Sequence, residues 1–393
     1  MISSNRLPHA DNNNRFQTSR VLVLAACHFI HDVYSSFLAP LLPLIIEKLS
    51  ISLAQAGLLS AVMQIPALAN PLIGKLADRI SVRYFIILAP LTTALPMSLI
   101  GLAPSYGVLL ILLFFAGISV AIFHVPAPVM VSRLSGEKIG MGMSYYMTGG
   151  EFARTIGPMA AVGAVSVFGF EGFYPVMIVG FLASLWLYFK FKEMPIHINS
   201  SKKSSVMRTW HETRGIMGPL AGILIARSFM HASMTTFLPT FIKEETGNIW
   251  IAGLALTIFE AAGVAGILAA GPLSDRFGRK RILLISLVSA PLILIIFTVS
   301  GGFLRILSLV FTGVALLSTT PVMLALVQEN SKNSPAAANG IFMMISFTAR
   351  SFVVIAVGIV ADFAGLGFTY LLSAIIGMLG IPFIFMLPVK NDN

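Results

Sequence analysis

Ten ionisable side chains interrupt the apolar stretches of this 393-residue chain: His28, His31, Asp32, His124, Glu151, Arg154, Arg227, His231, Glu260 and Arg350. Placing Arg or Asp in hydrocarbon costs roughly 2.5–3.5 kcal/mol on insertion scales, so such residues map onto function. A guanidinium keeps its charge and forks onto carboxylate or phosphonate oxygens. Arg154, Arg350 and Arg227 are therefore expected to bring three positive charges to one chamber and to bind a small anionic substrate. Asp32, Glu151 and Glu260 offset that charge, and a carboxylate withdrawn from water can carry a proton. These three are the expected proton-coupling groups, Asp32 and Glu260 first.

Helical spacing places residues three, four or seven apart on one face. His28, His31, Asp32 and Ser35, with Tyr34 beside them, form one stripe, and Arg227 and His231 form another. His31, His231, His124, Tyr34 and Ser35 are expected to line the substrate path. Glu151 lies one turn from Arg154, which leaves open a purely structural ion pair. Arg350 has no acidic neighbour within a turn, so its compensation must come from another helix, from water or from substrate. The same imidazoles and Asp32, with 19 methionines, could also serve a transition-metal carrier, although three nearby arginines repel a dication.

The elements that hold these residues follow from composition. With 56% hydrophobic and 11% charged residues, the chain lies outside the soluble range and reads as an integral membrane protein. Apolar blocks of about 18–25 residues are long enough to cross a bilayer as helices. Twelve are expected, over 20–46, 53–74, 84–103, 107–130, 139–168, 172–191, 217–242, 249–272, 281–299, 302–328, 335–361 and 366–388. The first six and last six make two bundles, 20–191 and 217–388, joined by a polar link at 192–216 and flanked by cytoplasmic tails at 1–19 and 389–393.

Most of the 26 Lys and Arg fall in alternate connections, leaving Lys48, Lys243 and Arg305 on the opposite side. Basic loops stay in the cytoplasm, so both termini are expected there. The net charge of +10 reads as this bias and not as a nucleic-acid surface. Residues 1–19 lack the pattern of a cleaved signal peptide. The single cysteine, Cys27, excludes an intrachain disulfide and a cysteine-based metal cluster.

The chain is also written twice. Gly74-Lys-Leu-Ala-Asp78-Arg79 recurs as Gly271-Pro-Leu-Ser-Asp275-Arg276, half a chain further on. His31…Phe37-Leu38 matches His231…Phe237-Leu238, Ala153-Arg154 matches Ala349-Arg350, and Pro128-Val-Met130 matches Pro321-Val-Met323. Internal repeats with charged loops at equivalent places are how alternating-access transporters are built. In each motif the glycine is expected to permit close helix contact, while the aspartate pairs with arginine across a helix end. Gly74, Asp78, Arg79, Gly271, Asp275, Arg276 and Arg279 are the expected conformational gate.

The pattern GxLxDRxGRxx after the second helix of each half resembles the signature of the major facilitator superfamily. The copy from Gly271 to Arg281 is nearly complete, and the first departs from it at Ser81 and Val82. The resemblance implies an all-α membrane protein of two pseudo-symmetric six-helix bundles. It also implies a lipid-facing outer ring of helices 3, 6, 9 and 12, which here carry none of the ten ionisable residues. Within the superfamily the chain resembles the fosmidomycin resistance protein family of bacterial drug-efflux transporters. That likeness rests on His28-Phe-Ile-His-Asp32, Tyr34-Ser35, Gly117 to His124, Gly149-Gly150-Glu-Phe-Ala-Arg-Thr-Ile-Gly157-Pro158 and Gln328-Glu329. Val125-Pro126-Ala127 departs from the family's acidic residue after Pro, and Arg154 and Arg350 stand where small or apolar residues are expected.

The expectation is a secondary transporter of the bacterial inner membrane that moves a small organic anion, or an anionic drug such as a phosphonate, coupled to protons. Export by antiport is favoured by the resemblance. Uptake of a polycarboxylate, an organophosphate or a carboxylate siderophore by symport is the alternative. No nucleotide-binding loop, HExxH or nucleophile elbow is present, so neither an enzyme nor direct ATP drive is expected. A monomer in the lipid bilayer with no cofactor and no nucleic-acid partner completes the reading.

Overall fold

The computed structural model describes residues 16–70, 73, 82–135, 139–192, 206–330 and 335–388. Among these, twelve helical spans run back and forth. The first bundle holds α1 (Thr18–Leu49), α2 (Leu53–Ala69), α3 (Val82–Leu99), α4 (Tyr106–His124, resumed at Ala127–Leu134), α5 (Ile139–Phe168) and α6 (Met177–Phe191). The second holds α7 (Val206–Ala232, continuing to Thr246), α8 (Ile249–Phe277), α9 (Arg279–Val299), α10 (Gly302–Leu317, resumed at Thr319–Glu329), α11 (335–364) and α12 (366–386). The helix of α7 already begins at Val206, so the part of the expected link from 206 to 216 is helical. Arg208 and Glu212 pair there at 2.9 Å across one turn. Gly365, at φ 78°, breaks the run between α11 and α12 where a side chain would be strained.

Five spans are interrupted, α12 among them at 379–380 just before Pro382, and proline explains where. Pro40 and Pro239 cannot donate to the preceding turn. At the matching places α1 loosens around Ser36 and α7 passes through a π-helical turn, Ser233–Phe237. Ser35 and Ser36 return their hydroxyls to the Asp32 and Val33 carbonyls, which supports the bend. Pro126 and Pro128 break α4 just after His124, and Pro321 follows the break in α10 at Ser318.

The duplication is visible in packing. Glycine lets backbones approach closely in membrane helices. A Cβ on Gly117 of α4 would lie 2.2 Å from the Met63 carbonyl of α2, and one on Gly313 of α10 would lie 2.4 Å from the Phe259 carbonyl of α8. Between bundles, a Cβ on Gly57 of α2 would meet the Val354 carbonyl of α11 at 2.6 Å, and Gly253 of α8 sits likewise against Val162 of α5. The α2–α11 contact is thus repeated as α8–α5.

We call the side where α1 turns into α2 the distal face, and the side where Gln17 and Leu387 lie the terminal face. One apolar core holds residues of both bundles towards the distal face, among them Phe37, Leu41, Leu59, Phe237, Phe241 and Val354. Towards the terminal face each bundle keeps its own core, around Leu24, Phe123 and Val131 in one and Leu220, Met323 and Phe342 in the other. The bundles therefore share one core distally and keep separate cores terminally, and we refer to the region between the two terminal cores as the chamber. Lys243 of α7 also reaches Glu47 of α1 at 2.6 Å across the distal seam.

Candidate functional site

The break in α4 brings His124 to the stripe on α1. Asp32, 6% exposed, gathers three imidazoles: His31 Nδ1 at 2.8 Å from Oδ1, His124 Nε2 at 3.2 Å from Oδ1, and His28 Nε2 at 3.2 Å from Oδ2. The other ring nitrogen of His28 lies 2.8 Å from the Tyr146 carbonyl of α5, and the two rings stack at 4.1 Å. Gly150 makes room, since a Cβ there would come within 2.5 Å of the His28 ring. His31 stacks on Phe123 at 4.4 Å. Spacing on α1 foretold the stripe, but nothing in the sequence joins α4 or the Tyr146 carbonyl to it.

A second group of charges comes from four helices. Arg154 pairs with Glu151 one turn away on α5, while its side chain remains 46% exposed. Glu260 of α8 and Arg350 of α11 lie within Coulombic reach of Arg154 and of each other, and Arg350 and Arg154 also reach His231 of α7. Among the described residues neither Glu260 nor Arg350 forms a direct ion pair. Arg350 instead lies 5.6 Å from the Phe347 ring. His231 Nδ1 lies 3.3 Å from Thr235 Oγ1, one turn on.

Three expected site residues are held elsewhere. Arg227, 3% exposed, donates to the Leu316 carbonyl at 3.2 and 3.3 Å and to Thr320 Oγ1 at 3.0 Å. The interruption of α10 at Ser318 makes this carbonyl region available, so Arg227 stabilises a helix break while its charge stays within Coulombic reach of Arg350 and His231. Tyr34, 4% exposed, donates to the Val176 carbonyl at 2.5 Å. Ser35 is committed to the Asp32 carbonyl at 3.0 Å.

At the terminal face, Gly74, Asp78 and Arg79 lie outside the described residues. In the second copy the pairing is not Asp275 with Arg276. Arg279, at the start of α9, reaches Asp275 and Ser274 of α8 and Glu329 of α10, the last at 3.1 Å. Arg276 rests over Phe277 at 5.3 Å. The turn itself needs Gly278, at φ 90°. Among the described residues Gly271 makes no close helix contact, as a Cβ there would meet nothing within 4 Å.

Comparison with known proteins extends this picture over the whole chain. It is 24% identical over 380 residues to an uncharacterized MFS-type transporter, YfnC, of Bacillus subtilis, covering 94% of this chain and 92% of that one. It is 23% identical over 371 residues to the fosmidomycin resistance protein of Escherichia coli, covering 92% and 91%. Over 281 residues it is 26% identical to the multidrug resistance protein MdtG of Salmonella paratyphi B, covering 68% and 69%. Its fold superposes with a TM-score of 0.83 on a bacterial homologue of the lysosomal transporter Spinster in an inward-facing, occupied conformation, at 15% identity over 94% of this chain and 96% of that one. The nucleoside transporter NupG gives 0.75 at 16% identity, over 94% and 99%. Residues 24–248 and 220–393 match the Major Facilitator Superfamily, and with two six-helix bundles parted around a charged chamber the chain belongs to that superfamily of membrane transporters.

Proposed function

We propose that the chain is a proton-linked transporter of a small organic anion, with Arg154 and Arg350 as the anion site and Glu260 as the principal coupling carboxylate. The observation that carries this reading is Arg350, a guanidinium at the equivalent of Arg154 in the other bundle, with Glu260 near both and no direct ion pair of its own. An anion bridging the two arginines would gain charge-assisted hydrogen bonds on both sides. It would also displace Glu151 from Arg154. Asp32, already ringed by three imidazoles, is less suited to carry a lone proton than Glu260.

Export from a bacterial cytoplasm, with the terminal face inside, is favoured by relatives that are fosmidomycin and multidrug resistance proteins. A specific feature favours a second reading, proton-coupled uptake. An anion placed beside Glu260 and Glu151 promotes their protonation, and linkage makes the effect reciprocal. Proton and anion then bind together, as symport requires.

The test is transport in proteoliposomes with an imposed pH gradient, screening phosphonates and carboxylates. Proton-dependent anion flux that falls at least tenfold in Arg350→Ala and is partly kept in Arg350→Lys is expected. The sign of the flux against the gradient distinguishes export from uptake. Flux indifferent to Arg350 would sink the anion site.

A further inference from the structure

The chamber charges leave one cluster without a task. His28, Asp32 and His124 present Nε2, a carboxylate oxygen and Nε2 within 4.8 Å of one another. Each Nε2 lies 3.2 Å from an Asp32 oxygen. Ligands bound at about 2.0–2.2 Å around a tetrahedral ion stand roughly 3.3–3.6 Å apart, so the spacing of His28 Nε2 from Oδ2 and of His124 Nε2 from Oδ1 suits neighbouring ligands of one ion, with the carboxylate offering both oxygens.

The hydrogen bonds add an independent argument. His28 is held between the Tyr146 carbonyl at Nδ1 and the Asp32 carboxylate at Nε2. Both are acceptors, and a neutral imidazole has one N–H to give. If Nδ1–H serves the carbonyl, the Nε2 lone pair confronts the carboxylate unless a cation stands between them. A carbonyl on the far nitrogen of a histidine is the usual outer support of a metal ligand, and so is a donor on the ligating carboxylate. His31 supplies that donor, with Nδ1 at 2.8 Å from Asp32 Oδ1. A proton at His28 would answer the first conflict alone. A metal ion would also use His124, whose Nε2 converges on the same carboxylate.

We infer that His28, Asp32 and His124 form a binding site for a divalent first-row transition-metal ion, with His31 and the Tyr146 carbonyl orienting the ligands. Two imidazoles and a carboxylate, without thiolate, favour Zn²⁺, Co²⁺ or Ni²⁺ over Mg²⁺ and Ca²⁺. The His124 side chain is 36% exposed, which gives an ion a way in and leaves a coordination position open. Arg154, whose charge reaches Asp32, is paired with Glu151, which limits its repulsion of a dication. The site stands whether or not the anion reading holds.

The experiment is equilibrium binding of Zn²⁺ alone to chelator-stripped protein in lipid nanodiscs, with the ligand-field spectrum of Co²⁺ as a second readout that needs no variant. Expected are one ion per chain, insensitive to excess Mg²⁺, and a Co²⁺ spectrum of low-coordinate nitrogen–oxygen type. Affinity should fall at least tenfold in His28→Gln, Asp32→Asn and His124→Gln, and stay unchanged in His211→Ala, an exposed imidazole on α7. Absence of saturable binding, an aqua-like Co²⁺ spectrum, or binding that survives His124→Gln and Asp32→Asn would each overturn the site, the first leaving the cluster to protons.

Discussion

Asp362, near the end of α11, accepts hydrogen bonds from the backbone N–H of Leu53 at 2.6 Å and from that of Ala54 at 2.8 Å, at the start of α2. A carboxylate from one bundle thus caps a helix of the other, adding to the cap that Ser52 gives through Gln55. Orphan N–H groups and the positive end of the helix dipole both favour this placement. At the pseudo-equivalent junction α8 is capped by its own Asn248, which accepts from Trp250 and Ile251. The cap exists only while the distal seam is closed.

Asp362→Ala should therefore favour distal opening. Losing a helix cap costs about 0.5–2 kcal/mol, which corresponds to a shift of roughly two- to thirtyfold between conformers. Spin labels at the exposed positions Tyr174 and Phe363, one in each bundle, would report it by dipolar distance measurements in a Cys27→Ser background. A longer distance population should grow in Asp362→Ala, and less so in Asp362→Asn, which can still accept. An unchanged distribution would mean that the cap contributes nothing to closure.

Gly358 offers a steric version of the same experiment. A Cβ there would lie 2.3 Å from the Leu53 carbonyl, and backbone cannot move aside as a side-chain tip can. Overpacking costs about 1–3 kcal/mol, so Gly358→Val should open the distal seam by roughly 5- to 160-fold on the same labels. Gly253→Val should do less, because its nearest neighbour is a methyl of Val162 at 2.9 Å. Equal effects would show that backbone approach is not what sets the seam.

Much of this architecture was legible in the sequence because membrane insertion is a local property. Span length, basic loops and the offset that joins Arg154 to Arg350 can all be read along the chain. The stripe from His28 to Asp32 was legible because one helix carries it. What joins distant elements was not. Arg227 looked like a third chamber cation, yet a broken α10 takes it through a backbone carbonyl that no residue type announces. Gly271 looked like a packing glycine, while the motif's need for glycine lies at Gly278, where φ is positive. Asp362 had no signal at all, since its partners are backbone N–H groups more than three hundred residues away.

Arg279 makes its own prediction. It ties Asp275 and Ser274 of α8 to Glu329 of α10, so it fixes the terminal ends of three helices of the second bundle. A planar fork can serve several acceptors at once, and a lysine ammonium on a flexible stem holds them less firmly. Arg279→Lys should slow transport several-fold and Arg279→Ala at least tenfold, with equilibrium substrate affinity nearly unchanged because the chamber is untouched. A loss of affinity matching the loss of rate would place Arg279 in binding and not in conformational exchange.

On the proposed reading, in which Glu260 is the coupling carboxylate, Glu260→Gln separates the proposed anion site from its coupling. The amide is close in shape to the carboxylic acid but carries no charge, so it mimics the protonated state permanently. Glu260 is 9% exposed and within reach of Arg154 and Arg350, whose positive charge it offsets in the empty chamber. Removing that charge leaves the arginines for substrate, and affinity should rise or hold. The energetic link to the proton gradient should vanish, because the group that exchanges the proton is gone. Exchange of labelled for unlabelled anion across the vesicle membrane should therefore continue in Glu260→Gln while gradient-driven accumulation stops. If accumulation persists, the proton is carried by Glu151 or by the imidazoles around Asp32. If exchange is lost as well, Glu260 contacts the substrate itself, and the two functions are joined in one carboxylate.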